Sequence, residues 1–323
     1  MSEAVVAVDD LQTTFHTKLG PVRAVDGVSY TIGKGETLGI VGESGCGKSV
    51  TAFSLMRLIE APGEVTGGAV WLGGENLLEV SEARMREIRG SRMAIIFQEP
   101  MTAFNPVLTI GYQMDEQITR HLRVGRRESR ERAVEMLSLV GIPSPRERYD
   151  SYPHQLSGGM RQRAMIAMAL SCDPEFLIAD EPTTALDVTI QGQILELIQS
   201  LQERLSMAVQ FITHDLGVIS EISDRVLVMY GGRTCEVADT GTLMTTPRHP
   251  YTAALIESIP KFGRRVARLP AIEGSVPSLN ELPTGCPFQN RCPNVGSRCR
   301  EAHPPLTSVG SGHLIACYHP VER

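Results

Sequence analysis

The stretch Gly42-Glu43-Ser44-Gly45-Cys46-Gly47-Lys48-Ser49 fits the pattern G-x-x-x-x-G-K-S/T. Its glycines let successive backbone N–H groups turn inward around one anion, and a helix starting directly after them adds its positive end. Lys48 supplies a point charge for the β- and γ-phosphates of a nucleotide, and the Ser49 hydroxyl is an oxygen ligand for Mg2+. Cys46 reads as a small spacer that lends its backbone N–H, the alternative being a reactive thiol. Far along the chain, the apolar run Phe176-Leu177-Ile178-Ala179 ends in Asp180 and Glu181. Two acids after a strand are ordinarily a solvated strand end. In a chain with a phosphate cradle, Asp180 suits the Mg2+ shell and Glu181 can polarise a water as general base.

These residues need rigid elements behind them. Thr37 to Val41, Met93 to Phe97, Phe176 to Ala179 and Ala208 to Thr213 are near-continuous apolar runs, as expected of strands covered on both faces. Val28, Tyr30 and Ile32 alternate as in a half-buried strand. Helical patterns cover Ser49 to Ile59, Ser157 to Ser171 and Val188 to Leu205. The alternation predicts an α/β fold with a largely parallel sheet. From about residue 100 to 156 only helical patterns appear, which reads as a helical insertion. The arginines Arg120, Arg123, Arg126, Arg127, Arg130 and Arg132 fall within it, interleaved with Glu128 and Glu131, as on a solvated helix face. Beyond about residue 245 the prolines at 247, 250, 260, 270, 277, 283 and 287 predict a loop-rich tail short of apolar core. Such a tail needs a staple.

Leu156-Ser157-Gly158-Gly159-Met160-Arg161-Gln162-Arg163 resembles the LSGGQ signature of the ABC-transporter ATPases, and the likeness extends over essentially the whole chain. The fold implied is a P-loop NTPase core with an antiparallel β subdomain and a helical insertion over residues 1–245, followed by a C-terminal extension over 246–323. In this family the signature residues present donors to a nucleotide held by the opposite subunit, and Met160 stands where Gln is usual. Gln98, in Phe97-Gln98-Glu99-Pro100, resembles the Q-loop residue that reaches the metal. Ala185-Leu186-Asp187 resembles the D-loop, and His214 the switch histidine that contacts the γ-phosphate. Phe15 is a candidate for the aromatic that stacks on adenine, with a strand-core Phe the equal alternative. The stretches from Gln98 to Pro106, Tyr152 to Leu156 and Arg248 to Thr252 resemble the dipeptide/oligopeptide/nickel importer branch.

Four of the seven cysteines crowd into the tail as Cys286-x5-Cys292-x6-Cys299-x17-Cys317. Four thiolates suit a tetrahedral Zn2+ or an iron–sulfur cluster. The wide spacings favour the larger cluster, and resemblance to the C-terminal extension of peptide-permease ATPases implies a 4Fe-4S cluster. His303, His313 and His319 are bystanders to a set that four cysteines already complete.

Composition agrees with a globular chain: 42% hydrophobic and 21% charged residues. The 31 basic against 37 acidic residues give a net charge of −6, a poor footprint for nucleic-acid binding. No apolar stretch approaches the roughly 18 residues of a membrane span. The start MSEAVVAVDD lacks a basic region followed by an apolar core, so no secretory signal is expected. The resemblance therefore implies an ATPase using ATP and Mg2+, peripheral on the cytoplasmic face of the cell membrane. Its implied partners are a second, paralogous ABC ATPase in a head-to-tail dimer, two transmembrane permease subunits and an extracytoplasmic solute-binding protein. The alternative is a soluble ABC ATPase of iron–sulfur assembly or DNA repair.

Overall fold

The computed structural model describes residues 4–184, 187–259 and 272–322. Pro260, Pro270, Ala185 and Leu186 lie outside them. The chain forms two compact units. A split unit gathers Val6–Ile32, Glu36–Leu78 and the chain from Phe211 onward; a middle unit consists chiefly of Glu79–Gln210.

The split unit opens with β1 (Ala4–Thr17), β2 (Gly20–Gly33), β3 (Thr37–Val41), β4 (Gly63–Leu72) and β5 (Glu75–Asn76). Strand order β2-β1-β4-β5, with β1 antiparallel to β4 and β4 antiparallel to β5, builds the expected antiparallel sheet. Val28, Tyr30 and Ile32 all face inward, as their alternation predicts. Every residue of β3 is buried, as its uninterrupted apolar run requires. The helix after it, Lys48–Leu55, is shorter than the expected Ser49 to Ile59, because Arg57 takes a positive φ of 50° that ends the helix.

In the middle unit β6 (Met93–Ile96) and β7 (Phe176–Asp180) pair in parallel, Met93 opposite Phe176. Between them the helices Ile110–Leu122 and Arg126–Leu139 form the expected insertion. Ile110, Met114 and Ile118, one turn apart, share the buried face of the first. Three arginines of the run form ion pairs: Arg127 with Glu131, Arg130 with Asp150, and the half-buried Arg132 with Glu135 and Asp173. Helices Gly158–Leu170 and Val188–Leu205 match the sequence pattern closely.

The division between the units falls inside β8 (Ala208–Thr213), all six residues of which are buried. The split unit continues with β9 (Arg225–Tyr230), β10 (Arg233–Asp239), β11 (Thr307–Gly310) and β12 (His313–Ile315). Within it the order is β11-β12-β10-β9-β3, parallel between β3 and β9 and antiparallel elsewhere.

The tail is better anchored than its proline content suggests. Residues 272–296 hold no helix or strand, but β12 joins the sheet through β10, and Tyr251 and Phe288 are completely buried. Burying an aromatic side chain contributes about 1.5–3 kcal/mol, which proline spacing does not report. His313 Nε2 lies 2.7 Å from the buried carboxylate of Glu236, which also accepts the N–H groups of Arg248 and His249. That carboxylate ties β10, β12 and the start of the helix Pro250–Glu257 together.

Candidate nucleotide-binding and catalytic residues

The sequence-predicted residues divide between the two units. In the split unit, Gly42 to Gly47 form the turn from β3 into the helix headed by Lys48. Gly45 and Gly47 take φ of +80° and +103°. A Cβ at Gly47 would lie 2.4 Å from the Ala24 carbonyl oxygen, and one at Gly42 would lie 2.3 Å from that of Met229. Close backbone approach, as much as turn geometry, therefore demands glycine here.

Lys48 is 5% exposed, and its ammonium donates to the carbonyls of Gly42 (2.7 Å) and Glu43 (3.2 Å). Cys46 is fully buried, and burial pushes its thiol above the usual range against the opposing pull of Lys48. It is built as a packed spacer. Ser44 and Gly45 are exposed at the loop tip, and Ser49 is half-buried.

Glu43 is held from outside the loop. Its carboxylate receives both terminal nitrogens of Arg291, at 2.7 and 3.1 Å, and its N–H donates to the Tyr251 hydroxyl at 2.9 Å. His214, exposed, immediately follows β8 in the same unit; Asp215 beside it caps the next helix through Gly217 and Val218. Phe15 is half-buried opposite Gly63 on β4, where a Cβ at Gly63 would meet its ring at 2.6 Å.

In the middle unit, Asp180 ends β7 at 2% exposure, and Glu181 follows with φ of 46°. A non-glycine residue held left-handed costs on the order of 1–3 kcal/mol and persists only when its surroundings over-determine it. They do here. Gln98 Nε2 and the Thr184 hydroxyl donate to one oxygen of Glu181, at 3.0 and 2.9 Å. Gln162 donates to the Pro182 carbonyl from the helix that opens at Gly158. Gln98 and Glu181, 83 residues apart, are thus in direct contact.

Ser157 caps that helix by accepting from the Met160 N–H at 3.3 Å, while Leu156 is buried behind it. Ser157 and Gly158 are exposed, and a Cβ at Gly158 would meet nothing within 4 Å. The helix N-terminus at Ser157 and Gly158 is thus exposed. Asp187 caps Val188–Leu205 through the Ile190 N–H at 2.9 Å.

Cys286, Cys292, Cys299 and Cys317 all line one cavity of about 10 Å3 in the split unit, with His249, Phe288 and His319 in its wall. The Cys286 N–H donates to the Cys299 carbonyl at 2.8 Å. Burial pushes the Cys286 thiol up to about 11 and the Cys317 thiol up to about 12, with the neighbouring thiols adding to both. The cysteines share a pocket, yet among the described residues no three His, Cys, Asp or Glu side chains are arranged to hold a metal ion.

A model of the family described as "ABC transporter" matches residues 25–184, and one described as "Oligopeptide/dipeptide transporter, C-terminal region" matches residues 235–299. A probable peptide ABC transporter ATP-binding protein of Sinorhizobium fredii is 54% identical over 323 residues, 99% of this chain and 96% of that protein. The chain belongs to the ABC transporter family. The dipeptide transport ATP-binding protein DppD of Escherichia coli is 46% identical over 99% of this chain and 98% of its own length. The dimeric ATP-binding cassette MJ0796, solved in a post-hydrolysis state with ADP and Pi, superposes with a TM-score of 0.66. It is 26% identical and covers 73% of this chain and 98% of its own.

The first match contains Gly42 to Ser49, Gln98, Leu156 to Met160, Asp180 and Glu181 of this ABC transporter family member, and ends before Asp187 and His214. The second contains Cys286, Cys292 and Cys299 and stops short of Cys317. Three residues around these sites are missed by sequence reasoning: Thr184, Gln162 and Arg291. Gln162 carries a faint signal, being a polar residue on an otherwise buried helix face. Arg291 carries none, since its partner lies 248 positions away.

Proposed function

We propose that this chain is the ATP-hydrolysing subunit of an ABC importer that couples ATP hydrolysis to uptake of di- or oligopeptides across the cytoplasmic membrane. What carries the reading is its end-to-end likeness to proteins named as peptide-transport ATP-binding subunits, C-terminal region included. Lys48 and the amides of the loop hold the phosphates, with Phe15 against the adenine. By their chemistry and by resemblance to the family motifs, Ser49, Gln98 and Asp180 would supply oxygen donors of the hard kind that Mg2+ takes. Mg2+ would neutralise charge on the phosphates. Glu181, oriented by Gln98 and Thr184, is the general base, and His214 contacts the γ-phosphate. Ser157 to Met160 serve the nucleotide of a facing ATPase; the Ser157 oxygen caps the Met160 amide, which leaves its O–H as donor. Asp187 belongs to the D-loop between them.

No helix among the described residues is long and apolar enough to cross a membrane. Attachment to the cytoplasmic face then runs through two permease subunits, supplied with solute by an extracytoplasmic binding protein. A paralogous ATPase completes the head-to-tail dimer over an ATPase core of residues 1–245. The test is co-expression of the full chain with its neighbouring permease genes. Co-purification, with Mg2+-dependent ATP hydrolysis stimulated by peptide-loaded binding protein, is the expected result. A chain that stays unattached and unstimulated by every candidate permease points instead to a soluble ABC ATPase.

For the extension over 246–323 we propose a 4Fe-4S cluster on Cys286, Cys292, Cys299 and Cys317. The support is that four soft donors, spread over 32 positions, face one cavity. A cavity of about 10 Å3 holds roughly one water-sized sphere, so a cluster would have to displace side chains that fill the space between the four sulfurs. Protein prepared without oxygen is expected to carry iron and acid-labile sulfide in equal amounts, with a broad visible absorption. Zinc alone in metal analysis favours the tetrahedral alternative.

A further inference from the structure

We propose that the Cys286–Cys292 segment is a strut for the phosphate loop and that Arg291 is a positioning residue for ATP binding, an inference that rests on reading Gly42 to Ser49 as the nucleotide loop. The ground is the way Glu43 is gripped. Its carboxylate takes a bidentate pair from Arg291, its N–H donates to the Tyr251 hydroxyl, and its carbonyl accepts from Lys48. All three polar parts of one loop residue are thus fixed, two of them by side chains of the C-terminal region.

Arg291 is itself rigid. Its side chain is 5% exposed, and its remaining donors reach the Tyr230 hydroxyl (3.3 Å) and the carbonyls of Ile272, Glu273 and Gly274. Phe288, three residues earlier, packs edge-on against Tyr230 with centroids 5.3 Å apart and tilted against Tyr251 at the same distance. Tyr230 and Tyr251 in turn pack edge-on at 4.7 Å. The aromatic trio places both hydroxyls at the loop, one on Glu43 and one on the arginine that holds it. A planar, bidentate guanidinium fixes orientation as well as charge, which a lysine or a water does not. Glu43 is 29% exposed, so it stays hydrated when its partner is removed, and the loop gains freedom instead of a buried lone charge.

The consequence is pre-organisation. A loop whose first variable residue is pinned keeps Lys48 and the following amides in one arrangement, and loosening it taxes nucleotide affinity without touching the reacting atoms. Arg291→Met in the full chain is expected to raise KM for ATP about ten-fold, in the range typical of coupled sites. Maximal turnover should stay within about two-fold, because binding and not the chemical step is weakened. Arg291→Lys, which keeps the charge and loses the fork, should fall between. Tyr251→Phe, which keeps the aromatic packing and removes only the hydroxyl on Glu43, should raise KM in the same direction, and it serves if Arg291→Met folds poorly.

The double variant Arg291→Met with Glu43→Gln separates position from charge. An elevated KM there supports the strut, whereas a return to the wild-type value reduces Arg291 to a charge neutraliser and overturns it. Unchanged KM in both Arg291→Met and Tyr251→Phe overturns it as well. Lys48→Ala, run alongside, tests the underlying reading: if it leaves Mg-ATP binding intact, the loop is not the nucleotide site and that assignment fails separately.

Discussion

Replacing Glu181 with glutamine lowers ATP turnover by about 10²–10⁴-fold, the usual contribution of a general base, while ATP binding persists. Glutamine has the same length and shape, so the left-handed backbone at position 181 and the contacts of Gln98 and Thr184 keep their geometry. What disappears is the capacity to accept a proton from water. The measurement is single-turnover hydrolysis beside equilibrium binding of Mg-ATP. Near-normal hydrolysis with intact binding removes Glu181 from the role of base and leaves its strained turn without a catalytic purpose.

The second large effect is expected at Gly47. Substitution by alanine puts a methyl 2.4 Å from the Ala24 carbonyl oxygen, at a φ of +103° that L residues rarely adopt. Neither side yields cheaply. The Gly232 N–H bonds the Cys46 carbonyl, and the Asp26 N–H bonds the Gly232 carbonyl, so loop and neighbouring backbone are tied together. Strain of about 1–3 kcal/mol, concentrated in the candidate phosphate loop, is expected to cost roughly 5- to 150-fold in nucleotide affinity. Titration with a fluorescent ATP analogue measures it, and a thermal melt without nucleotide shows whether the rest of the chain is intact. Wild-type affinity in Gly47→Ala contradicts the close approach on which the loop is built.

The two effects differ in kind. Glu181 carries a charge at the end of an apolar strand and is expected to act through its functional group. Gly47 acts through having none. Both positions can be read as candidates without coordinates because each lies in a motif of a few consecutive residues, although Gln98 and Ala24, which press on them, come from elsewhere in the chain. The same holds for the strands Thr37–Val41 and Ala208–Thr213 and the helix Val188–Leu205, whose limits follow the apolar pattern. It fails in the tail, where prolines conceal the hairpin of β11 and β12 and where buried Tyr251 and Phe288 supply a core of their own.

Local spacing therefore determined the candidate phosphate loop, the candidate acid pair, the helix start at Ser157 and the alternation of strand and helix, because each is set by backbone conformation over a few consecutive residues. Only the folded chain decided that Gln98 touches Glu181, that Gln162 braces Pro182, that four cysteines face one cavity and that Arg291 grips Glu43. Those contacts join residues whose separation along the chain bears no fixed relation to distance, and no pattern of residue types encodes which distant partner a side chain meets when the core closes.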